Sequence, residues 1–211
     1  MARIRSAASG LTRTAGALLF LAGAVALMGI ITAEALYPAG YSTGANMISD
    51  LGGTEPPNSV VLQPSAAIFD TAMVITGLLI IVGALCAYVG FHRPSLSIPL
   101  AFFGIGALGV GIFPGHTGTM HAISAQITFI GGAVAALLSF RSLAGPLRYI
   151  SVAFGAIALV NLLGYMVLQD KWFMTALGLG GLERWIAYPV LVWLTGVGGY
   201  LLAAPQPAPQ Q

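Results

Sequence analysis

The chain has 211 residues, of which 57% are hydrophobic and 7% charged, and its formal net charge is +2. A water-soluble domain carries about a quarter charged residues, so these values exclude an ordinary soluble enzyme. So small a net charge also gives no electrostatic footprint for nucleic acid, and the single cysteine, Cys86, has no partner for an internal disulfide.

The apolar residues fall into six blocks broken by proline, glycine and charge, and a membrane span needs about 20 such residues. The blocks predict helices near 15–36, 65–90, 96–113, 119–140, 147–168 and 184–204. Lipid cannot satisfy exposed backbone groups, and the alternation a β-barrel requires is missing, so helix is the only spanning structure left. The expected fold is all-α: a single transmembrane domain over 1–211, multi-pass in the cell membrane, with its Pro- and Gln-rich tail at 205–211 disordered.

Arg3, Arg5 and Arg13 precede the first block, and Ala33-Glu34-Ala35 near its end mimics a leader cleavage site. The apolar run is longer than the core of a secretory signal, so we read it as the first span. The segment from Tyr37 to Gly53 is too long for a plain connector, and loops of that length tend to be functional or disordered. Within it, Ser49-Asp50 has two readings: a cap on a short interfacial helix, or part of a site. Asp70 falls inside the second block. A carboxylate at the centre of a membrane costs about 2.5–3.5 kcal/mol on the lower scales, so such a residue faces a partner or a cavity.

Gly104-Ile105-Gly106-Ala107-Leu108-Gly109 matches a dinucleotide fingerprint letter for letter. That motif needs a preceding strand and a helix N-terminus, whereas here it sits within an apolar helix. Close helix packing is the better reading, for Gly104 and Gly109 as for Gly196 and Gly199. Beyond the Phe113-Pro114-Gly115 break come His116 and His121, and a helical period places His121, Ser124 and Thr128 on one face. His116 and His121 with Asp70 offer the ligand types of a divalent metal such as zinc. The plainer reading is hydrogen bonding within the bundle, and no other cofactor is implied. Asn161 is expected to bond between helices, and Lys171-Trp172-Phe173-Met174 reads as an interfacial anchor. Glu183 and Arg184 then open the last helix, with Arg184 the natural ion-pair partner of Glu34 or Asp70.

Six of the eight basic residues (Arg3, Arg5, Arg13, Arg93, Arg141 and Arg148) fall on one side of an even-numbered bundle. That side is expected to be cytoplasmic, which places both termini there. The six acids (Glu34, Asp50, Glu55, Asp70, Asp170 and Glu183) all fall on the other side.

Four pieces of the chain carry a resemblance. They are Leu36-Tyr37-Pro38 with Tyr41-Ser42 and Ile48-Ser49-Asp50-Leu51-Gly52; Ser65 through Asp70; Phe113-Pro114 followed by His121; and Gly181-Leu182-Glu183-Arg184 with Trp193. In this order they resemble a prokaryotic six-helix membrane family catalogued as domain of unknown function 998. The resemblance implies a six-helix bundle and no particular reaction.

The expected working surface is an outer polar pocket that binds or processes a lipid-like molecule. Asp50, Asp70, His116 and His121 are its catalytic candidates, and Glu34, Asp70, Glu183 and Arg184 its structural ion-pair set. The alternative is a non-catalytic accessory or structural subunit. Whether the chain is an enzyme is left open by the sequence. Membrane lipids are the expected partners, together with a second copy or a larger membrane complex, and nucleic acid is not.

Overall fold

The computed structural model describes residues 2–38 and 40–203. Six helices carry the fold: α1 (Ala2–Ala35), α2 (Ser65–Phe91), α3 (Pro94–Ile112), α4 (Thr119–Leu138), α5 (Leu147–Leu168) and α6 (Gly178–Leu202). All six are long and apolar enough to cross a membrane, and no strand occurs among the described residues. The all-α, six-helix expectation holds. Two bounds differ from those expected. α1 begins at Ala2 rather than near 15, and α6 begins at Gly178 rather than at 184. Residues 205–211, read above as a disordered tail, lie outside the described residues.

Local chemistry explains the breaks. α2 stops where His92 takes a left-handed backbone (φ 51°) and returns its N–H to the carbonyl of Tyr88. Pro94 then opens α3, in the first-turn position where a missing N–H costs nothing. Between α3 and α4 the backbone turns at Gly118, with φ 62°, a conformation that suits a residue without Cβ.

Each helix packs on its neighbour in sequence, and α6 packs back on α1, so the bundle closes into a ring. α4 and α6 touch only lightly, and α5 bridges them from outside. Large side chains such as Leu85, Phe102 and Val167 stand exposed around the perimeter. Water would penalise that much apolar surface, whereas lipid tails accept it.

Lipid is as apolar as leucine, so the seams cannot rest on hydrophobic burial and rely on close backbone approach instead. Glycine provides it. Gly77 of α2 lies against Leu108 of α3, Gly106 of α3 against Thr128 of α4, and Gly198 of α6 against Phe20 of α1. Gly104 meets Ile81 and Gly77, and Gly109 meets Ser124, so both belong to seams. Gly196 and Gly199 do not: a Cβ added there would find its nearest atom at 3.9 and 4.0 Å. The helical period turns Gly196 away from α1 and leaves Gly199 at the edge of that contact, while it aims Gly198 at α1.

Alternation of helix direction sorts the charges. The 36–64 loop and the α3–α4 and α5–α6 connections form one end of the ring, which holds all six acids with Lys171 and Arg184. The remaining basic residues lie at the opposite end, with the start of α1 and the end of α6.

Candidate functional site

Arg184 sits in the second turn of α6 at the acidic end and ties three parts of the chain together. Nη1 donates to the carbonyls of Thr43 (2.8 Å), Asn46 (3.1 Å) and Gly180 (2.9 Å). Nη2 donates to a carboxylate oxygen of Glu34 on α1 and to the hydroxyl of Tyr41 (2.6 Å). The Tyr41 hydroxyl donates onward to the carbonyl of Met47 at 3.0 Å. Burial, and to a lesser extent the carboxylates of Glu34 and Glu183, raise the Tyr41 phenol above its ordinary value against the opposing pull of Arg184. The phenol therefore keeps the proton it donates.

Next to it, Glu183 accepts from the backbone N–H of Ile48. Ile48 precedes a single 3₁₀ turn, Ser49–Leu51, which has no local side-chain cap. Of the two sequence readings of Ser49-Asp50, a local cap or part of a site, the local cap is not formed. Asp50 instead bonds backwards, accepting from the N–H of Met47 (2.9 Å) and from the side chain of Asn46 (3.4 Å). The turn takes its carboxylate cap from α6, far away in sequence. Backbone bonds complete the dock, with the N–H groups of Gly180 and Gly181 reaching the carbonyl of Gly44 at 2.9 and 3.2 Å. Gly180 lies so close to Asn46 that no side chain fits. The first turn of α6, Gly178 through Gly181, thus packs directly on the loop backbone.

Beneath the docked loop lies a central cavity of about 70 Å³. Its wall comes from five helices, with Ile30 of α1, Met73 of α2, Phe103 of α3, Phe129 of α4 and Val190 of α6 all facing it. Ser49, His121 and Glu183 line it at the loop end, and Thr76 and Thr128 line it deeper in the bundle. His121 is buried at 3% exposure, and its Nδ1 lies 2.8 Å from the carbonyl of Phe113. A carbonyl only accepts, so Nδ1 carries a hydrogen.

The other expected site residues are elsewhere. His116 is exposed and separated from α4 by Gly118, so the two histidines do not share a helix face. It stands beside Gly53, while Asp70 stands beside Gly52, outside the cavity wall. Asp70 is not paired with Arg184, and its Oδ1 is buried without a hydrogen-bond partner. Arg184 pairs with Glu34, and its two terminal nitrogens are otherwise held by the carbonyls of Thr43, Asn46 and Gly180 and by the Tyr41 hydroxyl. Among the described residues, no three His, Cys, Asp or Glu side chains stand close enough to share a metal ion. The catalytic candidates Asp50, Asp70, His116 and His121 are thus dispersed, and His121 is the one that lines the cavity.

The 37–53 segment, the α6 opening with Arg184 and the loop-end residues of α4 all lie within residues 20–200, which match a family model described as protein of unknown function (DUF998). The chain belongs to the DUF998 family. No curated protein and no solved structure matches it. In this DUF998 chain one further polar residue departs from its expected role. Asn161 does not bond between helices. Its amide donates to the carbonyl of Ile157 on its own helix (2.9 Å) and accepts from the Trp172 indole (3.2 Å). Trp172 is therefore folded back on Gly164 of α5, because its indole N–H must be satisfied where it is buried. Gln126 drew no notice in the sequence, yet it lines a surface groove between α3 and α4, and its Oε1 is buried without a partner. A lone Gln in an apolar helix gives no sign of where it faces until the phase of that helix is known.

Proposed function

We propose that this DUF998 protein holds a lipid-like molecule, or part of one, in the central cavity, with the 37–53 loop as its cover. The observation that carries this reading is the cavity itself, whose wall is almost wholly apolar, with Ser49, His121 and Glu183 among the residues at its loop end. Small-molecule sites are commonly built this way, mostly apolar with a few convergent polar groups. Its volume holds about five or six water-sized groups. That suits the head and first carbons of an amphiphile better than a whole lipid.

Protein purified in mild detergent should release a co-purifying small amphiphile on extraction, read by mass spectrometry. Ala107→Leu adds three carbons to the cavity wall and should abolish that release. Val167→Ala, on the exposed perimeter, should leave it unchanged. Equal release from both variants would remove the cavity from consideration.

We also place the protein in the cell membrane with both termini in the cytoplasm, since the basic end of a bundle normally faces that side. The cavity mouth then opens toward the non-cytoplasmic face. In a Cys86→Ser background, Asn58→Cys should react with an impermeant thiol reagent added outside intact cells, and Ala144→Cys should not. The reverse pattern would invert the topology.

A second reading, an accessory subunit or self-associating chain, draws support from Gln126. A carboxamide facing lipid gains by hydrogen-bonding to a neighbouring helix, and its amide can pair with its own copy.

A further inference from the structure

At the basic end of the bundle, Arg148 is a partly buried cation for which the chain supplies no partner charge. It is the second residue of α5, where the positive end of the helix dipole disfavours a cation. Its guanidinium carbon lies 3.8 Å from the centre of the Phe140 ring and 5.5 Å from that of Tyr149, and the two rings meet edge to face. Stacking on Phe140 fixes the plane of the guanidinium and so the directions of its N–H groups. Nε is buried without a partner. Among the described residues, nothing accepts from the two terminal nitrogens either, and all six acids lie at the other end of the ring. The corner that carries Arg148 is itself held in place. Ser139 accepts from the N–H groups of Ser142 (2.8 Å) and Leu143 (2.9 Å), and the Ala144 N–H donates to the Tyr200 hydroxyl of α6 (3.3 Å). Tyr149 is 64% exposed, and tyrosine at the end of a span sits at headgroup level.

We infer that Arg148, stacked on Phe140, forms a seat for the phosphodiester of an anionic phospholipid such as phosphatidylglycerol. A partly buried charge is costly unless it is paired, and here the counter-charge has to come from outside the chain. The two terminal nitrogens of a guanidinium match two phosphate oxygens, and a phosphate at the start of α5 also offsets the helix dipole. A zwitterionic headgroup would bring its own cation into a corner where Arg141 already stands and no carboxylate offsets it, so a lipid of net negative charge is favoured. The exposed side chains of Tyr149 and Ile150 give the glycerol and first acyl carbons an apolar bed. The seat lies at the end opposite the docked loop. It depends neither on the cavity reading nor on which leaflet the basic end faces.

The test gives the full-length protein in detergent equal amounts of phosphatidylglycerol and phosphatidylcholine, and native mass spectrometry counts the lipids retained after dilution. The unaltered chain should retain phosphatidylglycerol about tenfold over phosphatidylcholine, the scale of a charge-assisted, bidentate bond. Arg148→Lys keeps the positive charge but loses the fork and the stack, and Phe140→Leu keeps the arginine but loses its platform. Each should lower the preference about threefold or more, since a point charge on a flexible stem does not replace a fixed fork. Arg93→Lys, exposed at the same end, should leave it unchanged. Equal retention of the two lipids by the unaltered chain would overturn the proposal. So would a preference unmoved in Arg148→Lys, or a loss in Arg93→Lys as large as in Arg148→Lys. Thermal unfolding separates the two sources of phosphate: phosphatidylglycerol should raise the unfolding temperature, and glycerol 3-phosphate at the same concentration should not. Equal stabilisation by glycerol 3-phosphate would overturn the lipid assignment. The lipid preference of the unaltered chain decides the matter even if a variant does not fold.

Discussion

Arg184→Ala should destabilise the protein by about 3–5 kcal/mol, the range for removing one partner of a buried ion pair. The side chains of Arg184 and Glu34 are only 11% and 19% exposed, so solvent screens them little. The substitution strands Glu34, the Tyr41 hydroxyl and the carbonyls of Thr43 and Asn46 together. Arg184→Lys should recover only part of the loss, because an ammonium has three donors and lacks the planar fork that serves five acceptors. Arg93, exposed at the opposite end, is the control, and Arg93→Ala should change stability little. Thermal unfolding in detergent measures all three. If Arg184→Ala costs no more than Arg93→Ala, the loop is not held by this side chain.

A second large effect separates two glycines of one helix. At Gly198 an added Cβ would meet Phe20 backbone atoms and lie 2.8 Å from the carbonyl of Gly16. Gly198→Leu should therefore push α6 off α1 and cost about 3 kcal/mol, the upper part of the range for overpacked cores. At Gly196 the nearest atom is 3.9 Å away. Gly196→Ala should be neutral or stabilise by up to about 1 kcal/mol, since alanine is the better helix former. Unfolding curves of the two variants should move in opposite directions or at least differ clearly. Matching shifts would mean that the face α6 turns to α1 has been misassigned.

These contrasts show what a sequence can and cannot convey. The six spans are legible because hydropathy is a local property, and a run such as Leu78 through Leu85 reads as a span without knowledge of its neighbours. The family was legible from short pieces in order. Partner choice was not. Arg184 was expected to meet an acid, and it meets Glu34, but three of its five acceptors are backbone carbonyls, which every residue has and no pattern marks. Gly198 and Gly196 look alike on paper, and only the phase of α6 against α1 distinguishes them. His116 and His121 suggested a pair until the backbone reversal at Gly118 separated them. The 3₁₀ turn at Ser49 drew its cap from Glu183, at a separation where spacing rules carry no information.

The bonds that fasten the 37–53 loop have a consequence for biosynthesis. Glu34 and Arg184 are 150 positions apart in the chain, and the loop's other anchors on Gly180 and Glu183 emerge just as late. A nascent chain that has inserted α1 through α5 therefore carries an unpaired carboxylate and an undocked loop until α6 leaves the ribosome. Closure of the ring on α1 and fastening of the loop fall in the same late step, so a chain stopped before residue 178 lacks both. Such a product displays its incompleteness at one membrane surface, where the 37–53 loop has no α6 to dock on.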